Sequence, residues 1–209
     1  MTNQEKSYFC QLCSSLFSTP ERKTFKWLKQ GESFFIFEKV KYFLEEKHIF
    51  IDFFSEFNKE SLFEELEETY DTLSLGIKGK DSKIVSLVES CYKPWTIDSN
   101  CPLPFAQAKG LLMGDPALHM LTLYQELGIE ISNELKGAPD HITLLLDFLS
   151  FLYQEASYHE IKVFIEDHLD WIPILREDCI KANIHPFYIS LVEILDLFLK
   201  KEKLRLEVF

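Results

Sequence analysis

Glycine and proline are scarce in this sequence of 209 residues, with 7 and 8 occurrences. Because these two residues break helices and form turns, their scarcity predicts long helices with short connections. One short aromatic and β-branched run, residues 48–54, is compatible with a strand. We interpret it as helix or turn, since no second strand is evident to pair with it. The sequence therefore predicts an all-α helical bundle of about nine to eleven helices.

Long apolar runs are also missing. No stretch approaches the roughly 18 apolar residues of a membrane-spanning helix, and the segment from Met1 to Lys6 lacks the apolar core of a signal peptide. The five cysteines are an odd number without framework spacing, which is typical of a reducing compartment. We therefore expect a cytoplasmic protein without stable membrane insertion.

Basic residues are outnumbered, with 22 lysines and arginines against 34 acidic residues and a net charge of −12. The imbalance lies beyond residue 50, where 14 basic residues face 28 acidic ones. An acidic surface repels nucleic acid and attracts basic partners, although the same charge also keeps a protein soluble. We therefore expect no nucleic-acid partner. Two explanations of the acidic surface stay open: it attracts a basic partner, or it only keeps the protein soluble.

Motifs of catalysis and of cofactor binding are missing as well, because no Gly-x-Ser-x-Gly sequence and no glycine-rich phosphate loop occur. Cys10 and Cys13 have no second ligand pair, which favours buried structural cysteines over a metal or redox site. His159, Asp167 and His168 match no metal-ligand spacing. We predict no enzyme, no metal site and no bound cofactor. The alternative is an enzyme with a small hydrolase or nucleotide-binding activity. Its mark would be a pocket of converging titratable groups, which this sequence does not display.

The most informative stretch runs from Gly137 to Leu152. Pro139 suits the first position of a helix, and Asp140 suits its first turn, where a negative charge meets the positive end of the helix dipole. We predict a helix from residue 139 to about residue 156, with His141 as either a recognition residue at a groove mouth or a local cap. Apolar residues recur behind it at three- and four-residue spacing: Ile142, Leu145, Leu146, Leu149 and Leu152.

Pro139-Asp140-His141-Ile142, with Asp147-Phe148-Leu149 beyond it, resembles the Pro-Asp-His hallmark of the TorD/DmsD/NarJ family. These proteins are all-helical cytoplasmic chaperones that assist the maturation of molybdenum-containing redox enzymes. Three further segments resemble family motifs in the same order along the chain. They are Glu89-Ser90-Cys91-Tyr92 for Glu-Ser-x-Tyr, Tyr124 with Gly128-Ile129 for Tyr-x-x-x-Gly-Leu, and His168-Leu169 with Trp171 for His-Leu-x-x-Trp.

The resemblance implies a dedicated chaperone for the catalytic subunit of a molybdopterin-dependent oxidoreductase. It would bind the twin-arginine leader of that subunit and hold the subunit for cofactor insertion before export. Two alternatives remain: a NarJ-like chaperone of a leaderless subunit, and an unrelated helical scaffold or regulatory protein. The candidate client-binding residues are Asp140, His141, Pro139, Asp147, Glu89, Tyr92, Trp95, Tyr124, His168 and Trp171.

The chain is expected to form a single domain, 1–209, with an N-terminal lobe of about residues 1–105 and a C-terminal lobe of about residues 106–209. The segment 91–105 holds three prolines and is the candidate hinge. Residues 76–81 are predicted to be a loop. Family members exchange halves to form dimers, so the resemblance implies a monomer or a domain-swapped homodimer.

Overall fold

A computed structural model of the chain describes residues 1–29, 31–70, 73–74 and 85–207. Within these ranges the fold is all-α and has ten α-helices, which confirms the predicted fold class. The predicted loop at 76–81 lies outside the described residues. The helices are α1 (Asn3–Phe17), α2 (Arg22–Leu28), α3 (Glu32–Leu44), α4 (His48–Phe57), α5 (Leu62–Thr69), α6 (Asp115–Leu127), α7 (Ile142–Glu155), α8 (Tyr158–His168), α9 (Ile172–Ala182) and α10 (Pro186–Leu206).

Extended structure in the described part is confined to short pieces. Strands β1 (Leu73–Ser74) and β2 (Val85–Ser86) pair in parallel, and Val88 forms a single antiparallel bridge with His141. The ambiguous run 48–54 is helical, as we interpreted it, because it lies within α4. The buried phenylalanines of α4, at positions 50, 53 and 57, follow three- and four-residue spacing and therefore share one face of the helix.

One continuous apolar core joins helices from both ends of the chain. Helix α1 packs most extensively on α7, and α10 packs on α3, α4, α8 and α9. Phe53 lies at the centre of an aromatic cluster, with ring centroids 4.6 Å from Phe37, 5.5 Å from Phe57 and 5.5 Å from Phe187. The clustered phenylalanines therefore bind the N-terminal helices to the last helix. The two-lobe division and its hinge near 91–105 stay predictions.

A buried charged cluster ties α1, α7 and α10 together. Lys6 Nζ lies 2.7 Å from Glu202 Oε1, with side chains 2% and 0% exposed. The Tyr153 hydroxyl donates to Glu202 Oε2 at 3.0 Å, and Arg205 donates to both carboxylate oxygens. Burial alone would raise the pKa of Glu202, but the hydrogen bonds and charges of Arg205 and Lys6 outweigh it and lower that pKa.

The cysteine pair of α1 belongs to the core. Cys10 and Cys13 are both 0% exposed, and burial raises the pKa of each thiol well above its ordinary value. A thiol held in its neutral form is a poor metal ligand and a poor nucleophile. The prediction of buried structural cysteines is confirmed.

Among the helices described, none combines the length and the apolar character that crossing a bilayer requires.

Candidate functional site

The start of α7 is capped by a histidine. His141 has extended backbone angles, and its Nδ1 accepts the Thr143 backbone N–H at 3.4 Å and lies 2.8 Å from Thr143 Oγ1. The side chain is 4% exposed, and burial lowers the pKa of His141 to about 4. The neutral ring keeps the lone pair that capping requires. The local cap that we considered for this residue is therefore present.

Asp140 precedes the helix instead of occupying its first turn. The prediction that α7 begins at Pro139 is wrong, because the backbone before Ile142 pairs with another segment: Ile142 N–H donates to the Leu87 carbonyl at 2.8 Å, and Glu89 N–H donates to the Asp140 carbonyl at 3.1 Å. Hydrogen bonds to residues outside the helix thus replace the first helical turn.

The carboxylate of Asp140 is committed to Ser90. Its Oδ2 accepts the Ser90 backbone N–H at 2.7 Å and also the Ser90 hydroxyl. We call this pair the Ser90–Asp140 clasp. Asp140 is 0% exposed, and burial raises the pKa of its carboxyl. A side chain without exposed surface offers no direct contact to an arginine, so Asp140 acts in this structure by holding the segment at Ser90 in place.

Removing the clasp is expected to cost stability. Asp140→Ala leaves the buried Ser90 N–H and hydroxyl without an acceptor, which costs about 2–3 kcal/mol in the free energy of unfolding. Asp140→Asn keeps an acceptor oxygen for both Ser90 donors and is expected to cost less than Asp140→Ala. Urea denaturation of both variants measures the difference. Equal losses for alanine and asparagine would contradict the clasp.

A chain of polar groups that runs from the buried Glu89 and His168 to the exposed His119 starts at the residue next to the clasp. Glu89 Oε2 accepts His168 Nδ1–H at 2.8 Å, and His168 Nε2 lies 2.8 Å from His119 Nδ1. We call Glu89, His168 and His119 the histidine relay. Lys93 Nζ lies 2.7 Å from Glu89 Oε1 and 2.7 Å from Asp170 Oδ1. Burial raises the pKa of Glu89. Burial would lower the pKa of Lys93, but the two carboxylates outweigh it and raise that pKa.

Three of the aromatic candidates pack around this relay. Tyr92 and Trp171 are buried and stacked with ring centroids 4.8 Å apart, and Trp171 Nε1–H donates to the His168 carbonyl at 2.8 Å. Tyr124 is buried too, and its hydroxyl donates to the Pro139 carbonyl at 3.1 Å. These side chains therefore support the site from behind and leave little surface for a ligand.

The remaining two candidates lie apart from this group. Trp95 is half-buried and meets Phe105 edge-on at 5.3 Å, within the irregular segment that leads to α6. Asp147 lies on the exposed side of α7, next to Ser14 of α1. The structure thus brings together Glu89, Tyr92, Pro139, Asp140, His141, Tyr124, His168 and Trp171, and it leaves Trp95 and Asp147 outside that group.

A groove of about 520 Å³ opens beside the histidine relay, between α6 and α8 with α7 as its floor. His119, Asp167 and His168 also line a second hollow of about 400 Å³, so the two spaces adjoin at these residues. We call the larger space the α6–α8 groove. Its apolar lining consists of Leu123, Leu127, Phe148, Phe151, Leu152, Ala156, Val163 and Phe164, and its acidic lining consists of Glu126, Glu155, Glu160 and Asp167.

The sequence reasoning missed most of these lining residues. His119, Leu123, Glu126 and Leu127 share one face of α6 by their three- and four-residue spacing, which a helical projection reveals. Leu127 is 50% exposed and Phe151 is 37% exposed. Large apolar side chains that are exposed to this extent and lie beside carboxylates indicate an interaction surface.

No metal cluster involves the groove in the part of the chain that the structure describes. Among the described residues, the group whose possible ligand atoms lie close enough together to hold one metal ion consists of Glu56, Glu65 and His185. His185 Nδ1 accepts the Phe187 backbone N–H as a helix cap, so Nε2 is the ring nitrogen that carries a hydrogen and donates it to Glu65 at 2.9 Å. A ring nitrogen that donates cannot ligate a metal. His159 and His168 line the groove without forming such a cluster.

These features define a class of protein. A helical fold that carries an apolar groove with an acidic lining is suited to binding an apolar or amphipathic segment of another polypeptide.

The family model for the nitrate reductase delta subunit matches residues 41–177. The chain belongs to this family, the NarJ/TorD family of molybdoenzyme-maturation chaperones, and it is not an enzyme.

The chain is similar to curated relatives named Chaperone protein TorD. The relative from Vibrio cholerae serotype O1 is 26% identical over 161 residues, which cover 70% of this chain and 73% of the relative. The relative from Vibrio parahaemolyticus is 29% identical over 157 residues, covering 68% and 73%. The relative from Salmonella agona is 24% identical over 138 residues, covering 62% and 63%.

Proposed function

We propose that this chaperone binds the catalytic subunit of a molybdopterin-dependent oxidoreductase in the cytoplasm, through the twin-arginine leader of that subunit. It holds the subunit until the cofactor is inserted and thereby delays export. The observation that carries the proposal is the α6–α8 groove, which combines an apolar floor with an acidic lining.

The groove complements both parts of such a leader. A leader offers two arginines followed by an apolar segment. Apolar helical segments bind in grooves by burying side chains at three- and four-residue spacing, and each buried aliphatic or aromatic side chain contributes about 1.5–3 kcal/mol before the costs of ordering. Carboxylates accept the guanidinium group through two parallel hydrogen bonds. The groove thus supplies affinity from its floor and selectivity from its acidic residues.

The hallmark residues contribute by positioning the groove walls. The Ser90–Asp140 clasp fixes the backbone next to Glu89, and Glu89 in turn orients His168 at the groove. Tyr124 ties α6 to Pro139. Through these bonds, and through the backbone bridge between Val88 and His141, Asp140 and His141 influence a ligand without contacting it. We expect Asp140→Ala and His141→Ala to weaken leader binding by displacing the wall residues.

Calorimetric titration of the chaperone with leader peptides tests the proposal. The titrants are twin-arginine leaders from the same organism, and the matched controls are the same peptides with both arginines changed to lysine. We expect micromolar binding to one leader and at least about tenfold weaker binding to its lysine version, because lysine lacks the bidentate fork. A chaperone that gives no heat with any leader would refute leader binding.

A second candidate function follows from the family description. The matching model is that of a nitrate reductase delta subunit, and a NarJ-like chaperone would bind a leaderless subunit. Affinity purification of the client from its own cells separates the two. Recovery of a catalytic subunit whose binding survives deletion of its N-terminal segment would favour the leaderless client.

A further inference from the structure

We infer that the two ends of the α6–α8 groove have different tasks, so that the leader binds in one direction. The end formed by Glu126, Glu155 and Glu160, which we call the glutamate end, takes the paired arginines. The end formed by His119, Asp167 and His168, which we call the histidine end, takes the far end of the apolar segment. The inference rests on the proposed function and deepens it by assigning the specificity-determining residues.

The helix directions create the two ends. His119 near the start of α6 bonds to His168 at the end of α8, while Leu127 at the end of α6 and His159 near the start of α8 line the same groove. Helices α6 and α8 are therefore antiparallel walls. Residues 160–167 of α8 span about 10 Å at 1.5 Å per residue, which matches about two turns of a bound helix.

The acids of the histidine end and its adjoining hollow are largely occupied. Glu89 is shared by His168 and Lys93, which also holds Asp170. Asp115 Oδ2 accepts the Thr96 hydroxyl at 2.8 Å and the Ile97 N–H at 2.9 Å. Lys93 lines the adjoining hollow and engages both Glu89 and Asp170. An arginine arriving there would meet one uncommitted acid, Asp167, because the other carboxylates already have partners.

The glutamate end offers free carboxylates from separate helices. Glu126 on α6 and Glu155 on α7 make no hydrogen bond or ion pair with the described residues, and Glu160 of α8 uses Oε2 for its capping box with Ser157. No lysine or arginine stands among the described residues that line the groove. Two uncommitted carboxylates match two guanidinium groups in number and in charge.

A charge-reversal experiment tests the direction. The probes are a synthetic 20-residue peptide with paired arginines before a leucine-rich segment, and its counterpart with paired glutamates. We expect the variant Glu126→Lys, Glu155→Lys to lose at least about tenfold in affinity for the arginine peptide and to gain measurable affinity for the glutamate peptide. The control variant Glu130→Lys, Glu166→Lys has the same charge change at exposed positions outside the groove and is expected to keep both affinities within about twofold.

A milder variant tests whether misfolding, rather than the change of charge, causes the loss of affinity. Glu126→Gln, Glu155→Gln removes both charges without adding new ones and is expected to weaken arginine-peptide binding about tenfold with an unchanged urea midpoint. Unchanged affinity in this variant, together with loss of affinity in Asp167→Asn, would overturn the inference and leave the proposed function intact. A wild-type chaperone that binds no leader would overturn both.

Discussion

Glu202→Ala is expected to lower the free energy of unfolding by about 3–5 kcal/mol. The substitution removes the acceptor of Lys6, Tyr153 and Arg205, and it leaves the Lys6 ammonium 2% exposed without its counter-charge. Losing one partner of a buried pair costs more than the pair contributes, because the remaining charge stays desolvated. Urea denaturation measures the change, and we expect a shift of the midpoint without a change of slope.

The matched control uses an exposed pair of the same chemistry. Lys181 and Glu177 lie 3.0 Å apart with side chains 67% and 66% exposed, and Glu177→Ala is expected to change stability by less than about 0.5 kcal/mol. Lys6→Met combined with Glu202→Met should recover part of the loss by replacing both charges with apolar groups. A Glu202→Ala effect no larger than that of Glu177→Ala would show that the buried cluster contributes nothing.

The second large effect is a loss of stability in mild acid that depends on His141. Burial lowers the folded-state pKa of His141 to about 4, below its ordinary value of 6.5. The unfolded chain therefore binds a proton between these values while the folded chain does not, so stability is fully present above pH 6.5 and falls as pH decreases towards 4. For these two pKa values the loss between pH 7.5 and pH 5 is about 2 kcal/mol.

Comparison with His141→Asn isolates this contribution. Asparagine can accept the Thr143 N–H as a helix cap but does not titrate in this range. The carboxyls of Glu89 and Asp140, whose pKa values are raised by burial, change stability in the opposite direction and are common to both proteins. We expect the difference in unfolding free energy between the two proteins to shrink by about 2 kcal/mol from pH 7.5 to pH 5. A difference that is independent of pH would contradict a neutral, buried His141.

Local sequence signals gave the fold class correctly. The scarcity of glycine and proline and the helical spacing of apolar residues predicted an all-α protein, and ten helices are present in the described ranges. The lack of ligand spacing around Cys10 and Cys13 predicted their burial in the core, which the structure confirms. Each of these inferences depends on residues close together in the chain, where periodicity and composition are informative.

The start of α7 shows where local reasoning failed. Proline followed by aspartate is typical of a helix N-terminus, yet Pro139 and Asp140 lie before the helix because Leu87, Glu89 and Ser90 provide their hydrogen-bond partners. Those partners are about fifty residues earlier in the chain. A pattern within one segment cannot show that a distant segment satisfies its polar groups.

The sequence by itself thus determined the helical class, the chaperone family and the identity of most residues around the histidine relay. The tertiary structure decided which of them are buried and which residues line the groove. It buried Asp140 and His141, paired His168 with His119, and placed Glu126 and Glu155 at an open groove. The physical reason is that burial and free charge depend on which helices pack together, and packing is set by contacts between residues far apart in sequence.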